Sequence, residues 1–392
     1  MGKIGINWQI GSVSGWGVLG LHIARHLLET RAFDPIPMRG LSVPDDALLP
    51  RHHGRLKSNA ERFAALIGQA PSRTAQASFP VLHGLGNQLI GSRADTHVSG
   101  TDDLGIVFLE DTALTAAAVE RGRRFARIAA GAAWTADVLR AAGLGHVEVC
   151  PQGIDPAVFH PGPPREQATD RFIVFSGGKL EHRKGQDIVI AAFRRFRDRH
   201  PEALLVASWF NPWPELVKGL QHSPWGTGVP GIAADGAVDV ASWLRANGLP
   251  DESFRVVPPL LNTAMGGLMR QADAALFPNR CEGGTNLVAM EALACGVPTV
   301  LSANTGHLDL IADVPCYPLL EQGPVAPDAP GRGTEGWGES SIEEILDALE
   351  RIHADRAQAR VTGLRAAERM QEAWTWGGRI DRMLKGLALR ID

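Results

Sequence analysis

The chain has 392 residues, 44% of them hydrophobic and 21% charged, and 39 Lys+Arg against 43 Asp+Glu leave a formal net charge of −4. At roughly 100–200 residues per domain this predicts two or three domains, and the composition excludes collagen-like, low-complexity and broadly disordered chains. A near-neutral balance also argues against a nucleic-acid partner held by an overall positive field, because neutralising a phosphate backbone takes clustered Lys and Arg.

Residues 4–8 read as a strand and 18–28 as a helix, with Val18, Leu21, Ala24, Leu27 and Leu28 at helical spacing. A second strand is expected at 34–38. Further strands at 80–83, 105–109, 126–130 and 147–150 alternate with helices at 115–124 and 135–142, the latter closed by Gly143. Such alternation implies a parallel sheet covered on both faces. Residues 160–165, His-Pro-Gly-Pro-Pro-Arg, can continue neither sheet nor helix and are the predicted linker. A second βα series follows, with strands at 171–175, 203–209, 254–257, 274–277 and 299–301 and helices at 186–199, 263–270 and 286–295. The expectation is therefore α/β, with two Rossmann-like domains at 1–162 and 163–373 facing each other across a cleft. A C-terminal helix at 374–392 is expected to return to the first domain. Segments 222–236 and 322–338 read as surface loops, and Ser340-Ser-Ile-Glu343 has capping-box spacing before a helical region reaching about residue 370.

The four cysteines, Cys150, Cys281, Cys295 and Cys316, are too dispersed for a CxxC pair or a disulfide scaffold, which suits a reducing, cytoplasmic compartment. The N-terminus carries no long apolar signal core, and the longest uncharged stretch, 4–24, is interrupted by polar residues and glycines. No membrane span is expected.

Three segments carry candidate chemistry. Gly15-Trp-Gly17-Val-Leu-Gly20 matches G-x-G-x-x-G at a helix start, but it follows its strand too distantly for a dinucleotide fingerprint. The second strand ends near Arg39 rather than an acid, so only an NADP reading survives, as a minor alternative. Residues 172–187 place Gly178, Lys179, Arg183 and Lys184 in a loop between strand and helix, where an anion meets both ammonium charge and helix N–H groups. Residues 277–291 place Glu282 before a Gly283-Gly284 turn, then Thr285, Asn286 and Leu287 at a helix start whose N–H groups can hold phosphate oxygens. Glu291 follows inside that helix, as an acceptor for neighbouring hydroxyls.

Together with Cys150-Pro-Gln-Gly-Ile-Asp155-Pro-Ala-Val-Phe159, these segments resemble the retaining GT-B enzymes of glycosyltransferase family 4, most clearly over 147–310. The resemblance implies two facing Rossmann-like domains, the C-terminal one binding a UDP-sugar or GDP-sugar donor and the N-terminal one a sugar, lipid-linked or protein acceptor. It also implies sugar transfer with retention and without a metal. Lys184 and Lys179 resemble the pair that contacts the donor diphosphate, with Lys179 where the family usually has arginine. Glu291 matches the second glutamate of an E-x7-E motif, which typically binds ribose, and Gly17 resembles the first-domain glycine near the donor phosphate. Two features depart from the pattern. The spacing from Glu282 to Glu291 is E-x8-E, and the expected first-domain histidine is missing at Phe108-Leu109-Glu110-Asp111, leaving Glu110, or His83 at the end of the preceding strand, as the candidate polar group.

The basic runs 120–127 and 194–199 read chiefly as solvated helix faces, with a weak peripheral membrane contact, at the inner face, as the alternative for the first. Trp16 is a candidate for lining the cleft. A sugar-nucleotide isomerase or epimerase and a non-catalytic nucleotide-sugar-binding protein are the competing functions.

Overall fold

In the computed structural model, which describes residues 2–44, 47–68, 75–91, 98–163 and 171–389, the chain divides into two units, Met1–Gly153 with Thr375–Asp392, and Ile154–Trp374. Pro164 and Arg165 of the expected linker lie outside the described residues.

The first unit is built from β1 (Gly2–Ile6), α1 (Gly15–Thr30), β2 (Phe33–Pro37), α2 (Pro50–Gly68), β3 (Val81–Leu85), β4 (Asp103–Val107), α3 (Ala116–Gly122), β5 (Arg127–Ala130), α4 (Ala133–Ala141) and β6 (Val147–Val149). The strands form a parallel six-stranded sheet in the order β6-β5-β4-β3-β1-β2. Its apolar residues are buried against the covering helices, as an all-parallel sheet requires; Leu85, Val107, Ile128, Leu139 and Val147 form one such cluster. The helix α12 (Trp376–Gly386) belongs to this unit, and Trp376 stacks on His22 of α1 at 4.8 Å.

The second unit contains β7 (Phe172–Lys179), α5 (Gln186–Arg199), β8 (Ala203–Phe210), α6 (Val240–Ala246), β9 (Phe254–Val256), α7 (Asn262–Met269), β10 (Ala274–Phe277), α8 (Leu287–Ala294), β11 (Thr299–Ser302), α9 (His307–Ile311), β12 (Tyr317–Leu319), α10 (Ile342–Ala354) and α11 (Arg356–Ala373). Its parallel sheet has the order β9-β8-β7-β10-β11-β12. The direction of winding reverses between β7 and β10. The loops that follow these two strands therefore diverge to opposite faces of the sheet and leave a crevice at their carboxyl ends, the usual ligand position in open α/β sheets.

Several boundaries differ from the sequence expectation. The units part at Gly153–Ile154 rather than at 162, because Ile154 and Phe159 are buried in the second unit's core and Ile154 N–H donates to Trp374 C=O at 2.8 Å. Proline and glycine mark irregular backbone there, but the apolar residues just before them decide which core the segment joins. Trp374 likewise stays with the second unit, so the return to the first begins at Thr375. The helical region beyond 340 is two helices broken at Asp355, whose carboxylate accepts from Gln358 N–H at 2.9 Å to cap α11. The cap of α10 is Ser341 rather than Ser340, its hydroxyl accepting from Glu344 N–H at 3.4 Å. Among the described residues, no helix is long and apolar enough to cross a membrane.

Candidate functional site

The loops after β7 and β10 are locked together. Gly185 opens α5 at φ 68°, and a Cβ there would stand 2.3 Å from the Pro278 carbonyl oxygen, so only glycine fits. Arg280 N–H and Cys281 N–H both donate to Arg183 C=O, at 2.7 and 3.2 Å. The fully buried Arg280 guanidinium makes a fork with Asp187 at 2.8 and 2.7 Å, and also donates to His182 C=O and Glu339. Such a bidentate pair fixes orientation as well as charge.

The same two loops carry a cluster of alternating charge. Lys184 Nζ sits 2.5 Å from Glu282 Oε1, Arg183 reaches Glu282 Oε2 at 3.4 Å and Glu181 at 2.6 Å, and Lys179 lies 3.2 Å from Glu181. Asn279 Nδ2 also donates to Glu282 Oε1. Burial opposes the charge on Glu282, but Lys184 and then Arg183 outweigh it and hold its carboxyl at about 2. Burial pulls the Lys184 ammonium below its ordinary value, against the attraction of Glu282. Lys179 is the most exposed of the three cations, its side chain 34% accessible and 5.5 Å above the Trp213 ring. Gly178, at φ 132°, lets β7 deliver Lys179 to this edge.

The turn 283–286 leads from Glu282 into α8. Asn286 adopts φ 60° and caps the helix through Ala289 N–H, so the longer spacing is absorbed before Leu287 begins the helix. Gly283, Gly284 and Thr285 are buried, and the Thr285 hydroxyl is turned inward to Met290 Sδ at 3.0 Å. His307 braces this turn. Its Nε2 accepts from Asn286 Nδ2 at 3.0 Å, while its Nδ1 faces Ser302; burial depresses its pKa to about 4, which keeps it neutral. Further along α8, Glu291 accepts from Asn262 Nδ2 at 2.6 Å, and burial raises its carboxyl to about 8.

Lys179, Arg183, Lys184 and Glu282 thus meet in one charge cluster of the second unit, Gly283, Gly284, Thr285 and Asn286 lead from it to Leu287 at the start of α8, and Glu291 lies further along that helix beside Asn262. Gly17, His83 and Glu110 belong to the first unit. Gly17 donates its N–H to the Ser14 cap at 3.1 Å, and a Cβ on it would meet the Gly11 backbone at 3.0 Å, so helix-to-loop packing already requires glycine. His83 is not at a strand end: β3 continues to Leu85, and His83 sits mid-strand with Nε2 2.9 Å from Asp103 and Nδ1 3.0 Å from Asn7 Nδ2. Arg39 Nε donates to Asn7 Oδ1 at 2.7 Å. Glu110 follows the end of β4, its backbone N–H held by Asn87 at 2.9 Å. Trp16 packs edge-on against Trp8 and Phe108.

A family model described as a family 4 glycosyltransferase in conflict systems matches residues 259–383. A D-inositol 3-phosphate glycosyltransferase of Kribbella flavida is 27% identical over 234 residues, covering 57% of this chain and 47% of that protein. A GDP-mannose-dependent alpha-(1-6)-phosphatidylinositol monomannoside mannosyltransferase of Mycolicibacterium smegmatis is 26% identical over 257 residues, covering 61% and 56%. The chain spans about half the length of such curated relatives. Anabaena HepE in complex with UDP-glucose superposes with a TM-score of 0.63 at 14% identity, over 98% of this chain and 99% of that one. Sucrose-phosphate synthase from Thermosynechococcus elongatus gives 0.62 at 16%, over 98% of each chain. In sequence the chain is similar to the family 4 glycosyltransferases. Its fold is GT-B.

The segment matched by the family model contains Asn262, Glu282, Glu291 and His307, whereas Lys179–Lys184 lie before it. Asn279, Glu181, Asn262 and His307 escaped the sequence reading. Each acts through a partner brought close by folding. Only Glu181 and Asn279 stood inside a segment already singled out, where a polar residue beside the glycine loop was the available signal.

Proposed function

We propose that this protein is a retaining, metal-independent glycosyltransferase that moves a sugar from a UDP-sugar or GDP-sugar to an acceptor hydroxyl. The observation that carries the reading is the buried Lys184–Glu282 pair at the winding reversal of the second sheet, beside the start of α8 and one helix stretch from Glu291. The solved complexes of HepE with UDP and with UDP-glucose support a nucleotide-sugar donor for this fold.

Without donor, Glu282 serves as the counter-ion of Lys184. An arriving diphosphate offers Lys184, Arg183 and Lys179 a second anion and gives the first N–H groups of α8 acceptors aligned with the helix dipole. As the bond between C1 and the leaving phosphate oxygen breaks, charge grows on the diphosphate, and each positioned donor lowers the barrier by about 2–4 kcal/mol. The acceptor oxygen bonds to C1 on the face the diphosphate leaves, and its proton passes to the departing phosphate, which balances the step and retains configuration. Glu291, once ionised, accepts from the ribose hydroxyls. Acceptor recognition falls to the first unit in this reading.

One observation favours a second reading, a nucleotide-sugar-binding protein without transfer: the Glu282 carboxylate is already engaged by Lys184, Arg183 and Asn279. A panel of UDP- and GDP-sugars separates the two, with melting shifts reporting binding and nucleotide release reporting turnover. Lys184→Ala is expected to lower turnover about 10²–10³-fold. Shifts without turnover support the second reading. Unchanged turnover in Lys184→Ala, or binding of NADPH and of no sugar nucleotide, overturns the first.

A further inference from the structure

The helix α5 starts at the candidate donor loop and ends, roughly 20 Å away along its axis, at a second cluster of chemistry-bearing side chains. His200 caps it, donating its N–H to Phe196 C=O at 3.0 Å. Pro201 then turns the chain, Ala203 N–H returns to His200 C=O at 2.9 Å, and β8 begins. His200 and Glu202 thus flank one tight turn. Across from it, α10 presents Glu350 and His353 from the same face of its C-terminal end, since residues three apart on a helix are neighbours.

The two imidazoles lie 4.0 Å apart between ring centroids at 41°. Glu202 Oε1 is 2.9 Å from His353 Nε2 and 3.7 Å from His200 Nδ1. One ligand atom from each of the three residues lies within 4.8 Å of the others. On the outer side of His200, Nε2 faces Glu350 Oε2 at 2.8 Å, and Glu350 Oε1 accepts from Arg199 at 3.1 Å. A carboxylate can only accept, so His200 Nε2 carries the proton in the neutral ring and Nδ1 presents its lone pair toward Glu202 and His353. Phe172 and Phe196 pack edge-on against His353 at 5.0 and 5.9 Å, and Phe196 meets His200 at 4.6 Å, which holds both rings in place.

We propose that His200 Nδ1, His353 Nε2 and Glu202 form a binding site for a divalent transition-metal ion of the zinc class, with Glu350 as the positioning residue for His200. The ligand set is two imidazoles and a carboxylate, which suits zinc and its neighbours and disfavours magnesium and calcium. Metal–ligand bonds of about 2.0–2.2 Å in a tetrahedron put ligand atoms roughly 3.3 Å apart, and the separations of 2.9 and 3.7 Å bracket that value. The carboxylate–histidine–metal arrangement supplied by Glu350 is the usual way a ligating ring is oriented. On binding, the ion replaces the proton that His353 Nε2 shares with Glu202, and that proton leaves to solvent. Side-chain exposures of 19%, 34% and 21% for His200, Glu202 and His353 leave an entry path and a fourth position for water. The ion would clip the α5–β8 turn to α10. It takes no part in sugar transfer, and the proposal stands apart from the donor-site reading.

The test uses tag-free full-length protein stripped with a chelator and titrated with Zn²⁺ by calorimetry, alongside thermal melting in Zn²⁺ and in Mg²⁺. One Zn²⁺ per chain, a melting temperature raised by Zn²⁺ but not by Mg²⁺, and Co²⁺ absorption bands of a tetrahedral centre are expected. Glu202→Gln and His353→Gln should each weaken Zn²⁺ binding at least ten-fold, and Glu350→Gln about ten-fold. Circular dichroism checks folding, and the partly exposed Glu202 gives a variant that spares the core. Absence of a Zn²⁺-dependent shift in the native protein, or an equal shift in Glu202→Gln, overturns the proposal and leaves a hydrogen-bonded charge cluster.

Discussion

Glu282→Gln tests whether the alternating charges of the second unit are a stabilising device in the donor-free protein. The native carboxyl, 4% accessible, is held at about 2 against an ordinary 4.5 because Lys184 and Arg183 outweigh its burial. At ~1.4 kcal/mol per pH unit this difference contributes roughly 3 kcal/mol at pH 7. A depressed carboxyl stabilises above its unfolded value and loses that contribution as pH falls through the folded one. The contribution is therefore full above pH ~5, roughly 1.4 kcal/mol at pH 3, and gone below about 2. Glutamine keeps the shape but leaves Lys184 buried without its counter-charge, so the variant should lose about 3 kcal/mol at neutral pH and progressively less in acid. Urea unfolding of both proteins at pH 7, 5 and 3 measures the gap. A gap below ~1 kcal/mol at pH 7, or one unchanged at pH 3, would falsify the account.

Glu291 runs with the opposite sign. Burial raises its carboxyl to about 8, so its contribution is present below 4.5 and is lost as pH rises toward 8. Glu291→Gln should therefore stabilise the donor-free protein by roughly 4 kcal/mol at pH 8 and leave it unchanged at pH 4, read from melting curves across that range. If Glu291 meets the ribose as a carboxylate, donor binding releases a proton, and UDP affinity should rise between pH 6 and 8 in native protein but not in the variant. Calorimetry in buffers of different ionisation enthalpy detects that proton. Gly185→Ala must place a Cβ against the Pro278 carbonyl at a left-handed φ; the backbone term alone is ~1–2 kcal/mol, and the clash should bring the loss to at least about 3 kcal/mol in urea unfolding.

Much of the architecture is legible because its signals are local. The βα alternation, the caps and the glycine turns each depend on a few adjacent residues, and the cationic loop 179–184 is contiguous in the chain. Errors arose where a distant partner decides the outcome. The expected strand 80–83 ends at His83, yet β3 continues because Gly84 and Leu85 pair with Ile106 and Val107. The missing side chain of Gly84 makes room for Trp16. The expected linker was displaced for a similar reason, since only the tertiary core shows where Ile154 and Phe159 are buried.

The βα alternation was enough, by sequence alone, to indicate two Rossmann-like halves, and the near-neutral charge of −4 with the segments around Lys184 and Glu291 points to a confined anion site instead of a polyanion-binding surface. Tertiary structure decided how that site is balanced. Lys179, Arg183 and Lys184 do not form a bare positive pocket, because Glu181 lies between them and Glu282, nearly a hundred residues along the chain, returns beside Lys184. Periodicity and motif spacing report neighbours in sequence. Which charge meets which across a sheet is set by strand order, and the winding reversal between β7 and β10 is what joins these two loops.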